Sequence, residues 1–241
     1  MRYGIIADIH GNLEAFETAL GALSREKIDR YLCVGDIVGY GANPRECIKM
    51  TKALGAVSVR GNHDAACSGL TDTGCFNKSA RKAVIWTKQN LKKDDLAFLK
   101  GAGLTYRNER LTLVHGTLQE PAKFHYMTDG VAAGGTLNLM KTDICFVGHT
   151  HVPGIFSIKN GRLKYFCKEK TKISKGERLI VNAGSVGQPR DGDPRLCYCV
   201  YDADALTVEL KRLAYDVEKA QRKTLKAALP SFFAYRLGAG V

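Results

Sequence analysis

Short apolar runs alternate with helix-spaced segments through the first part of the chain. Tyr3–Ala7 reads as a strand, and Leu13, Phe16, Leu20 and Leu23 recur at helical spacing over Asn12–Leu23. Tyr31–Val34 predicts a second strand, ended by Gly35-Asp36. Pro44–Leu54 predicts a helix with Asn43 as N-cap and Pro44 in its first position. Val57–Val59 predicts a third strand. In the middle, Asn77–Leu91, Asp94–Leu99 and Gly130–Met140 predict helices. Leu104–Arg107 and Leu111–His115 predict strands about an Asn108-Glu109-Arg110 turn, and Asp143–Gly148 predicts another strand. The last third is strand-rich: Gly154–Ile158 and Leu163–Lys168 flank the hairpin signal Asn160-Gly161, and Arg178–Ala183, Leu196–Asp202 and Leu206–Leu213 follow. A final helix over Val217–Ala228 precedes a tail after Pro230. This order predicts a layered α/β fold with helices covering sheets. No repeat or linker divides the 241 residues, so a single domain over 1–241 is expected.

Composition narrows the setting. No apolar run reaches the ~18–20 residues of a membrane span, and Gly4–Ala7 is too short for a signal-peptide core. The chain therefore reads as soluble and cytoplasmic. Its 8 cysteines are irregularly spaced with no C-x-x-C, which argues for reduced thiols rather than a zinc ribbon or disulfide scaffold. Cys33 and Cys145 fall inside apolar strands, and Cys197 and Cys199 share one strand face. The net charge of +12 favours anionic partners. It does not choose among phosphorylated small molecules, phosphoproteins and nucleic acid. With no polybasic tract or aromatic stacking motif, nucleic acid is not favoured, and solvated faces or lysine-guarded edge strands account for the excess.

The chemistry lies at the strand ends. In order they carry Asp8-Ile9-His10, Gly35-Asp36, Gly61-Asn62-His63-Asp64, His115-Gly116 and Gly148-His149-Thr150-His151. Loops at strand ends are where α/β folds place their sites. Residues i and i+2 of an extended segment point the same way, so Asp8 and His10 can reach one ion, and His149 and His151 can share a pocket. Imidazole and carboxylate suit Mn, Fe, Co, Ni and Zn, and Asn62 adds a neutral amide oxygen. Two carboxylates leave two divalent ions with a surplus of positive charge, which favours a bridging hydroxide and an incoming phosphate. Each piece alone is weak; five in order, each closing an apolar run, are not.

This order closely resembles the calcineurin-like metallophosphoesterases, in particular their small prokaryotic predicted phosphodiesterases. Asp8–Asn12, Gly35–Gly41, Arg60–Asp64 and Asn182–Arg190 carry the resemblance, which runs from Ile6 to about Asp202. It implies a four-layer αββα sandwich of two mixed sheets flanked by helices, with a dinuclear metal centre at the strand ends. By the same resemblance Asp8, His10 and His151 would bind one ion, Asn62, His115 and His149 the other, and Asp36 would bridge them. The implied cofactors are two divalent or trivalent transition-metal ions (Mn, Fe, Zn, Ni or Co). A bridging hydroxide would attack phosphorus, and His63, with its near-neutral pKa, would protonate the leaving alkoxide.

Asp64 would orient His63, or serve as a helix cap or in a surface ion pair. Arg60 would contact phosphate or form a structural ion pair, and Asn12 would donate to phosphate or cap the first helix. His125 fits no motif and reads as a loop residue, with a substrate contact as the alternative. Asn182–Arg190 reads as a supporting turn near the metal loops, with Ser185 and Arg190 as open candidates for substrate contact. The expected activity is a metal-dependent phosphodiesterase on a nucleotide-like small molecule. A dinucleoside polyphosphate (diadenosine tetraphosphate-type) hydrolase, a protein serine/threonine phosphatase and a non-catalytic scaffold are the alternatives.

Overall fold

A computed structural model describes residues 1–74 and 76–241; Cys75 lies outside the described residues. The first half runs β1 (Arg2–Ile6), α1 (Leu13–Leu23), β2 (Arg30–Cys33), α2 (Pro44–Ala53), β3 (Val57–Ser58), α3 (Asn62–Cys67), α4 (Lys78–Asn90), α5 (Lys93–Gly101), β4 (Thr105–Arg107) and β5 (Thr112–Val114). There follow α6 (Gly130–Leu139), β6 (Ile144–Val147), β7 (Gly154–Lys159), β8 (Arg162–Phe166), β9 (Lys170–Lys172), β10 (Arg178–Asn182), β11 (Leu196–Asp202), β12 (Thr207–Leu213), α7 (Val217–Lys226) and α8 (Ser231–Ala239).

The strands form two six-stranded mixed sheets, ordered β3-β2-β1-β11-β12-β9 and β4-β5-β6-β10-β7-β8. In each, parallel pairs (β1 with β2, β2 with β3; β5 with β6, β6 with β10) join antiparallel ones. Alternate residues of one strand serve different layers. Ile5, Leu32, Phe146, Val181 and Cys199 fill the space between the sheets. Their neighbours Ile6, Cys33, Tyr198 and Val200 face outward onto Phe16, Leu23 and Ile48 of α1 and α2. Cys145, Val147 and Ile180 face outward on the other side, against Ala133 and Leu137 of α6. Strands buried on both faces read as continuous apolar runs, which is why they are conspicuous in the sequence. The result is the expected helix–sheet–sheet–helix layering.

Four local features depart from the sequence reading. Asn43 makes no side-chain cap bond to α2; its Oδ1 instead accepts from Lys223 Nζ at 3.1 Å. The short helix α3 was not expected, because its six residues are too few to show a period. β9 is a further edge strand beside β12. The segment after Pro230 is helix α8, not a tail: Phe233 and Leu237, one turn apart, are buried, and Gly240 closes the helix in the left-handed region at φ 68°. The basic stretch from Lys159 to Arg178 falls largely on β8 and β9, the outer strands of the two sheets, where lysines discourage edge-to-edge pairing.

Candidate metal centre

The parallel strands all end at one place. Asp8 and His10 follow β1, Asp36 follows β2, Asn62 and His63 open α3 after β3, His115 follows β5, and His149 and His151 follow β6. Their donor atoms form two adjoining groups. In one, His151 Nε2 lies 3.3 Å from Asp8 Oδ1 and 3.0 Å from His10 Nε2. In the other, His115 Nε2 lies 3.2 Å from Asn62 Oδ1 and 3.1 Å from His149 Nδ1. Asp36 Oδ2 stands between them, 3.5 Å from His10 Nε2 and 3.4 Å from His115 Nε2.

The surrounding backbone fixes which ring nitrogen faces inward. Nδ1 of His10, His115 and His151 lies against the carbonyls of Val38 (3.2 Å), Val34 (2.8 Å) and Gln188 (2.6 Å). A proton held there turns each Nε2 toward the cage, the arrangement that metal-binding histidines adopt. His149 uses Nδ1 instead, and its backbone N–H donates to Asp8 Oδ2 at 3.0 Å. Asp8 Oδ1 is buried without a hydrogen-bond partner. A buried carboxylate oxygen with no donor, facing imidazoles with free lone pairs, fits a first-row transition ion.

The backbone is strained where the donors sit. Asp8, His10, Asp36, His149 and His151 have φ of 52°, 49°, 53°, 68° and 61°, the left-handed region that non-glycine residues avoid. Two glycines make room. A Cβ on Gly61 would lie 2.0 Å from Asp36 Oδ1, and one on Gly39, at φ 146°, would lie 2.5 Å from His10 Nδ1.

Charge is distributed unevenly among the buried groups. Burial alone would raise Asp36, but His115, His63 and His10 outweigh it and hold Asp36 well below the usual carboxylate range. Burial likewise opposes protonation of His115, yet the Asp36 and Asp8 carboxylates lift it to about 9. Burial pushes His10 and His149 well below the ordinary imidazole value. Asp64 is pushed up to about 7 by burial and by the neighbouring Asp36 charge, so Asp36 is the carboxylate of this pair that stays ionised.

His63 joins the group: one of its ring nitrogens lies within 4.8 Å of donor atoms of His10 and Asp36. Its Nε2 meets Tyr40 Oη at 2.9 Å, and its Nδ1 is buried without a partner. Burial, with the nearby Arg190 charge adding to it against Asp36, lowers His63 to about 4 rather than leaving it near neutral.

Of three residues with open readings, Asp64 and Asn12 take the capping one and Arg60 takes neither. Asp64 does not touch His63; its carboxylate accepts from the backbone N–H groups of Asp36 (2.8 Å), Val38 (3.2 Å) and Gly61 (3.1 Å) and so clamps the Asp36 loop to the start of α3. Arg60 turns away from the cage and donates to the carbonyls of Lys100 and Ala102. Asn12 caps α1, accepting from Ala15 N at 3.1 Å, while its Nδ2 donates to Gly187 O at 2.8 Å and Tyr215 Oη at 3.2 Å, leaving no donor for a phosphate.

The segment Asn182–Arg190 is a clasp. Ser185 Oγ donates to Asp8 O at 2.8 Å, and Val186 N and Gly187 N donate to Ala7 O and Asp8 O. His125 is exposed and sits 3.7 Å from Glu120. Sequence reasoning missed Tyr40 and Tyr126. Tyr126 stacks on His149 with centroids 3.9 Å apart at 13°. Tyr40, held between Gly39 and Gly41 just after Asp36, offered a signal in its aromatic ring between two glycines; Tyr126 offered none.

Replacing Asp8 with Asn tests the metal reading through stability. An amide at the Oδ1 position would donate to His151 Nε2, giving the orphaned position a partner and removing a buried charge. In chelator, Asp8→Asn is expected to raise the thermal midpoint by roughly 2–4 °C, corresponding to about 1 kcal/mol. The stabilisation that added Mn gives the parent protein, about 4 kcal/mol at 1,000 Kd, should disappear. A lowered midpoint in chelator, or undiminished Mn stabilisation, contradicts this.

Comparison with known proteins agrees with the geometry. A crystal structure of a metallophosphoesterase from Sphaerobacter thermophilus superposes with a TM-score of 0.87 at 38% identity, covering 100% of this chain and 99% of that one. An uncharacterized protein of Methanocaldococcus jannaschii, MJ0912, is 35% identical over 98% of this chain and 97% of its own length. The hypothetical protein PH1004 from Pyrococcus horikoshii OT3 shares the fold, with a TM-score of 0.81 at 18% identity over 100% and 98% of the two chains. The family profile for the calcineurin-like phosphoesterase superfamily domain matches residues 1–206. The chain belongs to the calcineurin-like phosphoesterase superfamily.

Proposed function

We propose that this protein is a metal-dependent phosphodiesterase acting on a nucleotide-like small molecule in the cytosol. The observation that carries the reading is Asp36 Oδ2, placed 3.5 Å and 3.4 Å from the inward nitrogens of His10 and His115, so that one carboxylate serves both donor groups. Asp8, His10 and His151 would hold one transition ion and Asn62, His115 and His149 the other, with Asp36 shared. Bound there, such ions supply Lewis-acid activation of water and neutralise phosphoryl charge.

The remaining chemistry belongs to the chain. His63 is the candidate proton donor to the leaving oxygen, and Tyr40 Oη fixes its Nε2 edge. The negative charge of an incoming phosphate raises the proton affinity of this buried ring, which its surroundings otherwise depress. A cleft of about 630 Å³ opens beside the cage, lined by Tyr40, Asn62, His63, Phe76, Tyr126 and His149. Its size suits a small nucleotide, and the rings of Phe76 and Tyr126 offer apolar surface for a planar base. Arg60, engaged with backbone carbonyls, lends no support to a protein phosphatase reading. Longer dinucleoside polyphosphates remain within the same chemistry. Among the described residues no helix is long and apolar enough to cross a membrane.

The test is turnover of bis(p-nitrophenyl) phosphate and p-nitrophenyl phosphate by protein loaded in turn with Mn, Fe, Co, Ni and Zn. The diester should be cleaved faster. No turnover with any ion, in folded protein shown to carry metal, rules the reading out.

A further inference from the structure

Beside the cage, the loop from β10 to β11 carries Arg190 and helix α8 carries Arg236, whose Nε donates to the oxygen of Val241. Among the described residues neither Arg190 nor Arg236 forms an ion pair with an acidic side chain. Arg190 Nη2 donates to Tyr40 Oη at 3.3 Å and to Gln188 Oε1 at 3.1 Å, and its guanidinium lies 5.6 Å from the centre of the Tyr40 ring. Its Nε is buried without an acceptor. Gln188, 1% exposed, spends its oxygen on Arg190, and its Nε2 is likewise buried without an acceptor. It borders a narrow cavity with His10, Tyr40 and Phe233.

Helix α8 closes the other side. Phe233 packs on Tyr40 with centroids 4.5 Å apart, and Arg236 is the next turn of the same helix face. Gly192 N donates to Gly240 O at 2.9 Å, tying the end of α8 to the loop that carries Arg190. Burial, and then the Arg190 charge, lowers Arg236 to about 10. Tyr40 Oη joins this cluster to the proposed proton donor, since it also contacts His63 Nε2.

We propose that Arg190 and Arg236 flank an anion subsite adjoining the metal cage, in which Arg190, supported by Gln188 and Tyr40, grips a phosphate oxygen of the substrate. The inference rests on the phosphoesterase reading for the identity of the anion, but on the unanswered donors for its existence. Buried donors without acceptors are costly, and a phosphate oxygen satisfies both guanidinium and amide. Helix α8 lies beyond residue 206, where the family match ends.

Phosphate oxygens at this subsite can come from the reacting phosphate or from a second phosphate on the same molecule. Calorimetric titration of Mn-loaded protein with inorganic phosphate, a nucleoside monophosphate and the corresponding bisphosphate separates them. Arg190→Gln is expected to weaken binding by about 10- to 100-fold, with Arg190→Lys intermediate, metal content unchanged and a normal melting transition. Arg236→Gln should act in the same direction by a smaller factor. A loss seen with all three ligands assigns the subsite to the reacting phosphate. A loss confined to the extra affinity of the bisphosphate assigns it to the neighbouring one. Wild-type affinity for all three ligands in both Gln variants overturns the proposal. Because binding is read without turnover, a wild-type protein that binds phosphate yet hydrolyses no ester would defeat the phosphoesterase reading and leave this one standing.

Discussion

Asp36→Ala should release metal from both halves of the cage and reduce phosphodiester turnover by about 10²–10³-fold or more. The expectation follows from position. Among the described residues, Asp36 Oδ2 is the one carboxylate oxygen near both His10 and His115. Its other oxygen accepts from His63 N at 2.9 Å, so the residue also anchors the start of α3. Asp36→Asn separates these duties: it keeps an oxygen for the His63 amide and removes only the charge. Elemental analysis of both variants should find well under two ions per chain. Two tightly held ions in Asp36→Asn, with turnover preserved, would show that the carboxylate is not shared.

His63→Ala should leave the metal content intact and still lower turnover by about 10²–10⁴-fold, the range lost with a positioned proton donor. The size of the loss should depend on the leaving group. A nitrophenolate departs without much help, whereas an alkoxide such as a ribose oxygen needs a proton. The ratio of wild-type to variant rates should therefore be larger for an alkyl diester than for the nitrophenyl diester. Tyr40→Phe, which removes the hydroxyl that holds His63 Nε2, should show the same dependence with a smaller loss. An equal loss for both leaving groups, accompanied by loss of an ion, would instead make His63 a ligand alongside His10 and Asp36, to which it lies close.

What the sequence made legible follows from physical range. Strands buried on both faces leave unbroken apolar runs, so the central strands are readable, whereas their division into two sheets is carried by the family resemblance; the polar residues that close those runs mark the strand ends where the cage forms. The directions of individual side chains were not readable, because they depend on partners far away in the chain. Arg60 is drawn off by carbonyls some forty residues on, at Lys100 and Ala102. Asn43 is engaged by Lys223, 180 positions away. Asp64 meets, besides the nearby Gly61 amide, two amides that only the folded Asp36 loop presents to it. Helix α8 was hidden because Gly238 weakens its local propensity, and its stability comes from Phe233 and Leu237 packing into the rest of the molecule.

The positive backbone angles at Asp8, His10, Asp36, His149 and His151 bear on attempts to change which ion this protein prefers. A softer ion invites cysteine, and a harder one invites glutamate. Neither residue tolerates that backbone region as readily as aspartate, asparagine or histidine. Saturation libraries at these five positions should therefore return a narrow alphabet, while Asn62 and His115, which lie outside the group with positive φ, become the productive places to retune selectivity.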